Sequence, residues 1–189
     1  MNKAVFLDRD GTLNSDSSYI NKVEDFEFYP YTVKALSMIK KNGYLLIVIS
    51  NQSGVGRGFI RESELDKINT KMQKALEIES AKLDAIYYCF FYENAVEDKY
   101  RKNQDDRKPS PGMILKAARK FDISLKESYM IGDRESDILA GKNAGCKTVL
   151  VKTGDGLKTI EKIQTADDST EPDFVFDSIL EAAEFIADN

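Results

Sequence analysis

A chain of 189 residues suits one domain and can bury roughly 70% of the surface its unfolded form exposes. Charged residues make up 31% and the net charge is -5, so no basic field draws the whole molecule to nucleic acid. Histidine is absent, which excludes histidine bases, Ser-His-Asp triads and histidine metal ligands. Two cysteines, Cys89 and Cys146, make no disulfide framework and fit a reducing compartment.

Short apolar runs alternate with helical patterns along the chain. Ala4 to Leu7 reads as a buried strand ending at Asp8. It is too short for an export signal, and no run approaches the ~20 apolar residues of a membrane span, so a cytoplasmic protein is expected. A helix from Thr32, with Val33, Leu36 and Ile39 on one face, should stop at Asn42-Gly43. Tyr44 to Ile49 is apolar throughout, as a parallel strand covered on both faces should be. A polar loop from Ser50 to Gly58 leads to an amphipathic helix over 62–80, and Ala85 to Phe91 reads as a third strand.

Residues 92–109 are polar and irregular. Ser110 then resembles an N-cap with Pro111 at the first helical position. Ser128 to Ile131 is a strand, Glu135 to Asn143 a short helix, and Lys147 to Val151 another strand. A polar stretch follows, then a strand at Phe174 to Phe176 and a helix from about Ser178. Such alternation predicts a doubly wound, Rossmann-like α/β parallel sheet. Its ligand should lie in the crevice outside the carboxyl ends of the strands.

Chemistry-bearing residues stand at those ends. Asp8-Arg9-Asp10-Gly11-Thr12 follows the first strand and brings two carboxylates to one cavity once the chain bends at Gly11. Ser50-Asn51-Gln52-Ser53-Gly54 supplies hydroxyl, amide and backbone N–H donors suited to a phosphoryl group. Arg107-Lys108-Pro109 supplies cations beside a helix N-terminus. Gly132-Asp133-Arg134-Glu135-Ser136-Asp137 offers carboxylates to complete an oxygen-rich Mg²⁺ site with Asp8. Each stretch alone is an ordinary loop or helix start. Four of them in this order at successive strand ends are specific.

This ordered set resembles the four motifs of the haloacid dehalogenase superfamily of phosphohydrolases, a fold here without a large cap. Within it, Phe6 to Thr12 with Asn14, Ser50 to Gly54 with Arg57-Gly58, Ile86 to Cys89, Arg107 to Pro109 with Pro111 to Met113, and Thr148 to Gly154 are similar to a narrower group. That group holds the heptose bisphosphate and histidinol-phosphate phosphatases. The resemblance runs from Lys3 to about Gly156 and is strongest to the heptose branch. It implies a phosphatase domain over 1–189, monomeric, acting on the C7 phosphate of a heptose 1,7-bisphosphate, with neither nucleic-acid nor membrane partners.

The resemblance also implies roles. Asp8 is the nucleophile and Asp10 the general acid and base. Mg²⁺ is held by the Asp8 carboxylate, the Asp10 main-chain carbonyl and Asp133. Ser50, Asn51 and Lys108 bind the transferring phosphoryl group, with Gln52 and Ser53 beside them. Arg107, Arg134 and the segment Asp16, Ser17, Ser18 and Tyr19 contact the rest of the substrate, with Arg57 as a further cation of these loops. One departure concerns the zinc loop usual in this family, with a Cys-x-His start and a Cys-x-Cys end. Here the corresponding stretches read Cys89-Phe90-Phe91 and Gln104-Asp105-Asp106. One thiolate cannot build the tetrahedral site that zinc prefers, so no zinc is expected. Histidinol phosphate, a polynucleotide 3′-phosphate and a catalytically silent sugar-phosphate binder remain as alternatives.

Overall fold

The computed structural model describes residues 1–15, 19–165 and 170–189. Six parallel strands lie in the order β3-β2-β1-β4-β5-β6. They are β1 (Lys3–Leu7), β2 (Tyr44–Asn51), β3 (Ala85–Cys89), β4 (Tyr129–Gly132), β5 (Lys147–Val151) and β6 (Phe174–Phe176). Among the described residues seven α-helices accompany them: α1 (Thr32–Lys41), α2 (Ser53–Gly56), α3 (Glu62–Glu77), α4 (Gly112–Phe121), α5 (Glu135–Ala144), α6 (Gly156–Ile163) and α7 (Ile179–Ala187).

Side chains alternate across a strand, so a sheet covered on both faces needs apolar residues at every position. Val5, Leu7, Leu46, Val48, Ile131 and Val149 pack with the apolar stripes of α1, α3 and α7, including Leu36, Ile68 and Ala183. Ala4, Phe6, Ile47, Ile49 and Met130 face the other way, onto Met113, Ile114 and Ala117 of α4 and Ala140 of α5. The strand order reverses at β1, which pairs with both β2 and β4. The crevice of such a sheet opens at that switch. Asp8 and Asp133 leave these two neighbouring strands there.

Three local expectations change. The helix over 62–80 ends at Glu77, and Ser80 takes the left-handed backbone (φ 54°). Ser110 forms no side-chain cap: α4 starts at Gly112, with Pro111 in the N-cap position. The polar stretch after β5 contains α6, whose N-terminal half flanks the crevice.

Candidate active site

The loop after β1 winds around one carbonyl. The N–H groups of Leu13 (2.8 Å) and Thr12 (3.3 Å) donate to the Arg9 oxygen, and Gly11 donates to that of Asn14 (2.8 Å). Gly11 is required twice. Its φ is +87°, and a Cβ there would lie 2.3 Å from Oδ2 of Asp133. The turn thus sets the Asp8 and Asp133 carboxylates together.

Asp8, Asp133 and Asp137 are buried, and each offers an oxygen within 4.8 Å of the others. Asp137 comes from the first turn of α5, where its Oδ2 accepts the Arg134 N–H (3.0 Å). Three buried carboxylates at this spacing repel. Burial, then the charges of Asp8 and Asp137, push Asp133 up to about 8. Burial raises Asp137 to about 6, the attraction of Lys108 opposing and the charge of Asp8 adding. Lys108 answers two of them: its Nζ lies 2.8 Å from Asp8 Oδ1 and 2.6 Å from Asp137 Oδ1. Burial lowers the Lys108 pKa, but the charges of Asp137 and Asp8 outweigh it, so the group stays an ammonium. The remaining negative charge and all-oxygen donors suit a hard divalent cation such as Mg²⁺.

Asp10 faces the same cavity in a different setting. Arg9, fully buried, forks onto both its oxygens, Nε to Oδ1 at 3.0 Å and Nη2 to Oδ2 at 2.7 Å. Asn14 donates to Oδ1 (3.0 Å) and Gln52 to Oδ2 (2.8 Å). Burial works to raise the Asp10 pKa; Arg9 and the two amides overcome it and hold the group below the usual carboxylate range. Arg9 also lies 5.8 Å from the Tyr88 ring centre, and the Tyr88 hydroxyl donates to Asn69 (2.6 Å) on α3.

The cavity measures about 640 Å³ and is lined by Asp8, Asp10, Tyr19, Ser50 to Gly54, Arg107, Lys108, Arg134, Ser136, Asp137, Asp155 and Lys158. It therefore collects every described residue singled out from sequence except Arg57 and Asp133, the latter lying beneath it, fully buried. Asp16, Ser17 and Ser18 lie outside the described residues. Two of the amides expected at the phosphoryl group are also bonded to protein. Asn51 exchanges two 3.0 Å bonds with the Lys108 main chain, which fixes that lysine. Gln52 bridges Asp10 and Ser50 Oγ (3.2 Å). Arg107 lines the cavity and donates to the Phe91 carbonyl (3.3 Å). Arg57 does not line it: its guanidinium stacks 3.8 Å from the Tyr92 ring centre.

Arg9, Asp155 and Lys158 were given no role from sequence, and Asp137 was named only among the carboxylates of its stretch. Asp137, at four residues beyond Asp133 on a helix start, had a readable signal; Asp155 and Lys158 reach the cavity because the start of α6 is tied to Asp133, whose Oδ2 accepts the Asp155 N–H (2.8 Å) and whose carbonyl accepts the Thr159 hydroxyl (2.9 Å).

The loop beyond β3 does not fit zinc. Burial raises the Cys89 pKa and favours the thiol, whose sulfur lies 3.8 Å from the Asn103 carbonyl. Other bonds hold the loop. Val96 N–H donates to the Gly56 carbonyl (2.9 Å) and Tyr92 N–H to that of Tyr100 (3.1 Å). The Arg101 guanidinium donates twice to the Ala95 carbonyl, at 3.1 and 2.7 Å. The Tyr100 ring meets Phe90 edge-on at 5.8 Å, and its hydroxyl donates to Glu62 of α3.

Comparison with known proteins agrees with this geometry. A family model described as HAD-hydrolase-like matches residues 106–182. The D-glycero-beta-D-manno-heptose-1,7-bisphosphate 7-phosphatase of Pasteurella multocida is 40% identical over 187 residues, covering 98% of this chain and 97% of its own. The corresponding alpha-named enzyme of Burkholderia mallei is 39% identical over 150 residues, 79% of each chain. Among solved structures, the D,D-heptose 1,7-bisphosphate phosphatase from B. bronchiseptica, complexed with magnesium and phosphate, superposes with a TM-score of 0.87 at 29% identity, covering 98% of both chains. With near-complete coverage on both sides, the chain belongs to the heptose 1,7-bisphosphate 7-phosphatase family of haloacid dehalogenase-like hydrolases.

Proposed function

We propose that this protein is a Mg²⁺-dependent phosphatase that removes the C7 phosphate of a D-glycero-D-manno-heptose 1,7-bisphosphate. The observation that carries the reading is the buried Asp8–Asp133–Asp137 cluster with Lys108 at its centre, in a chain 40% identical to a phosphatase named for that substrate.

An Asp8 carboxylate oxygen attacks phosphorus in line, and the P–O bond to the sugar breaks. Asp10, in its acid form, gives its proton to the departing alkoxide. A water then attacks the phosphoryl group on Asp8, losing its proton to Asp10, and the P–O bond to Asp8 breaks to release phosphate. The geometry described, with Asp10 ionised under Arg9, Asn14 and Gln52, is the base form that receives this proton. Lys108 offsets charge on Asp8, while Ser50, Ser53 and Arg107 line the route to the reacting oxygens. Asp8 and Asp133, with the Asp10 main-chain carbonyl, would hold Mg²⁺, which neutralises charge between nucleophile and phosphate; Asp137 orients Lys108.

Selection falls to the cavity wall, where Tyr19, Arg107, Arg134 and Lys158 suit a polar, doubly anionic sugar. Among the described residues no helix is long and apolar enough to cross a membrane. We read the chain as one cytoplasmic, monomeric phosphatase domain over 1–189. The test compares kcat/KM for both anomers of the heptose bisphosphate, histidinol phosphate and 3′-phosphorylated DNA. A heptose bisphosphate should lead by at least tenfold, on the order of one charge-assisted contact; equal rates on mono- and bisphosphates would refute the substrate.

A further inference from the structure

Asn51 is the last residue of β2 and pairs with Cys89 at the carboxyl edge of the sheet. It lines the cavity, yet its amide is directed at main chain. Its Nδ2 donates to the Lys108 carbonyl and its Oδ1 accepts the Lys108 N–H, both at 3.0 Å. Those two groups belong to one residue and flank its Cα. A strand partner in an antiparallel pair exchanges the same two bonds with the residue opposite, so this side chain stands in for a strand. The amide makes both bonds in one orientation alone, with its oxygen toward the N–H.

Each residue has two soft backbone dihedrals, and bonds to the N–H and C=O on either side of a Cα hold both. At Lys108 they fix the direction in which the side chain leaves. That direction matters for a lysine, because its four-carbon stem is flexible. The ammonium lies between Asp8 and Asp137, at 2.8 and 2.6 Å, in a residue that is 4% exposed. A second tie follows on the other side, where Asn143 of α5 donates to the Pro109 carbonyl (3.0 Å). The neighbouring amide, Gln52, is likewise engaged on Asp10 and Ser50. Both amides at the end of β2 thus act on protein groups that the reaction uses.

We propose, on the phosphatase reading above, that Asn51 is a positioning residue that acts on the reacting phosphoryl group through Lys108, its amide making no contact of its own with the phosphoryl oxygens. Losing the amide frees the Lys108 main chain to turn. The ammonium then drifts from Asp8 and from the charge that develops on the phosphoryl oxygens. This effect belongs to the reacting end, so it falls on kcat and is the same for a monoester and a bisphosphate. With Lys108 gone, Asn51 has nothing left to position.

The experiment is a double-mutant cycle on p-nitrophenyl phosphate at saturating Mg²⁺, with wild type, Asn51→Ala, Lys108→Met and the double variant. Asn51→Ala should lower kcat about 100-fold, on the order of a one-ångström misplacement, with KM within about threefold of wild type. In the Lys108→Met background the same change should lower kcat/KM by less than about threefold. Losses that multiply overturn the proposal, because a side chain touching the phosphoryl oxygens keeps its contribution when Lys108 is gone. Amide exchange supplies a reading without turnover. The Lys108 N–H should exchange about tenfold faster in Asn51→Ala, on the order of one hydrogen bond, with Ile47 of β2 unchanged; protection kept at Lys108 overturns the tie. Asn51→Asp keeps the acceptor and drops the donor, so Lys108 should stay protected there, and lost protection in that variant counts equally against it. A wild type that turns over no phosphate ester sinks the phosphatase reading itself, a result distinct from an active wild type whose losses multiply.

Discussion

The Lys108 ammonium lies 2.8 Å from Oδ1 of Asp8, with both side chains buried. The same nitrogen reaches Asp137 at 2.6 Å, so one lysine balances much of a three-carboxylate cluster. Replacing it with Met keeps the bulk and removes the charge. Breaking a buried pair in this way costs ~3–5 kcal/mol. Urea unfolding of Lys108→Met should show that loss in metal-free protein and a smaller one with Mg²⁺ present. An equal loss in both conditions would argue against a shared site for lysine and metal.

Asp8→Asn should remove turnover by several orders of magnitude, because an amide does not act as the attacking oxyanion. The asparagine oxygen can still accept from Lys108, so the melting temperature should move little. Activity within about tenfold of wild type would exclude Asp8 as nucleophile.

Stability of the metal-free protein should fall as pH rises. Asp133 and Asp137 titrate at about 8 and about 6 when folded, against ~3.9 when unfolded. Between those limits the native state binds more protons than the unfolded state, so unfolding free energy decreases with pH. The decline should begin near pH 4 and continue to about 8. Mg²⁺, which favours the ionised carboxylates, should stabilise most at the upper end of that window. Thermal melts at fixed ionic strength with and without Mg²⁺ check this; a flat metal-free profile would contradict the crowding of charge described.

The loop beyond β3 should be indifferent to zinc chelators when Mg²⁺ is in excess, since Cys89 has no soft partner there. It should respond instead to Tyr100→Phe, which removes the hydroxyl bonded to Glu62. One such bond is worth ~0.5–1.5 kcal/mol, and its loss should appear as faster amide exchange over 92–106 with the core unchanged. Inactivation by a zinc-selective chelator would overturn this account.

The sheet and its carboxyl-end motifs were legible because each apolar run ends in a group with distinctive chemistry. Asp8, Asp10, Lys108 and Asp133 converge for that reason. Less readable were the partners a side chain chooses. Asn51 and Gln52 look like free donors in sequence, yet one fixes Lys108 and the other spans Asp10 and Ser50. Arg57 sits among phosphate-loop residues but finds an aromatic face at Tyr92. Helix α6 was hidden because its stripe is short: Leu157 points to solvent at 60% exposure, and only Ile160 and Ile163 remain to mark a face. Its two cavity residues, Asp155 and Lys158, were lost with it.

The Arg9–Asp10 fork ties chemistry to the integrity of the interior. Arginine keeps its charge at any working pH, and this one has no exposure to water. Its answering carboxylate is the group proposed to move the proton. Drift at position 10 therefore harms the fold as well as the reaction, whereas a change at position 8 leaves Lys108 with Asp137 as a counter-charge. A lineage losing this activity should retain the second aspartate longer than the first, and a substrate-trapping form of the enzyme is better built at Asp8.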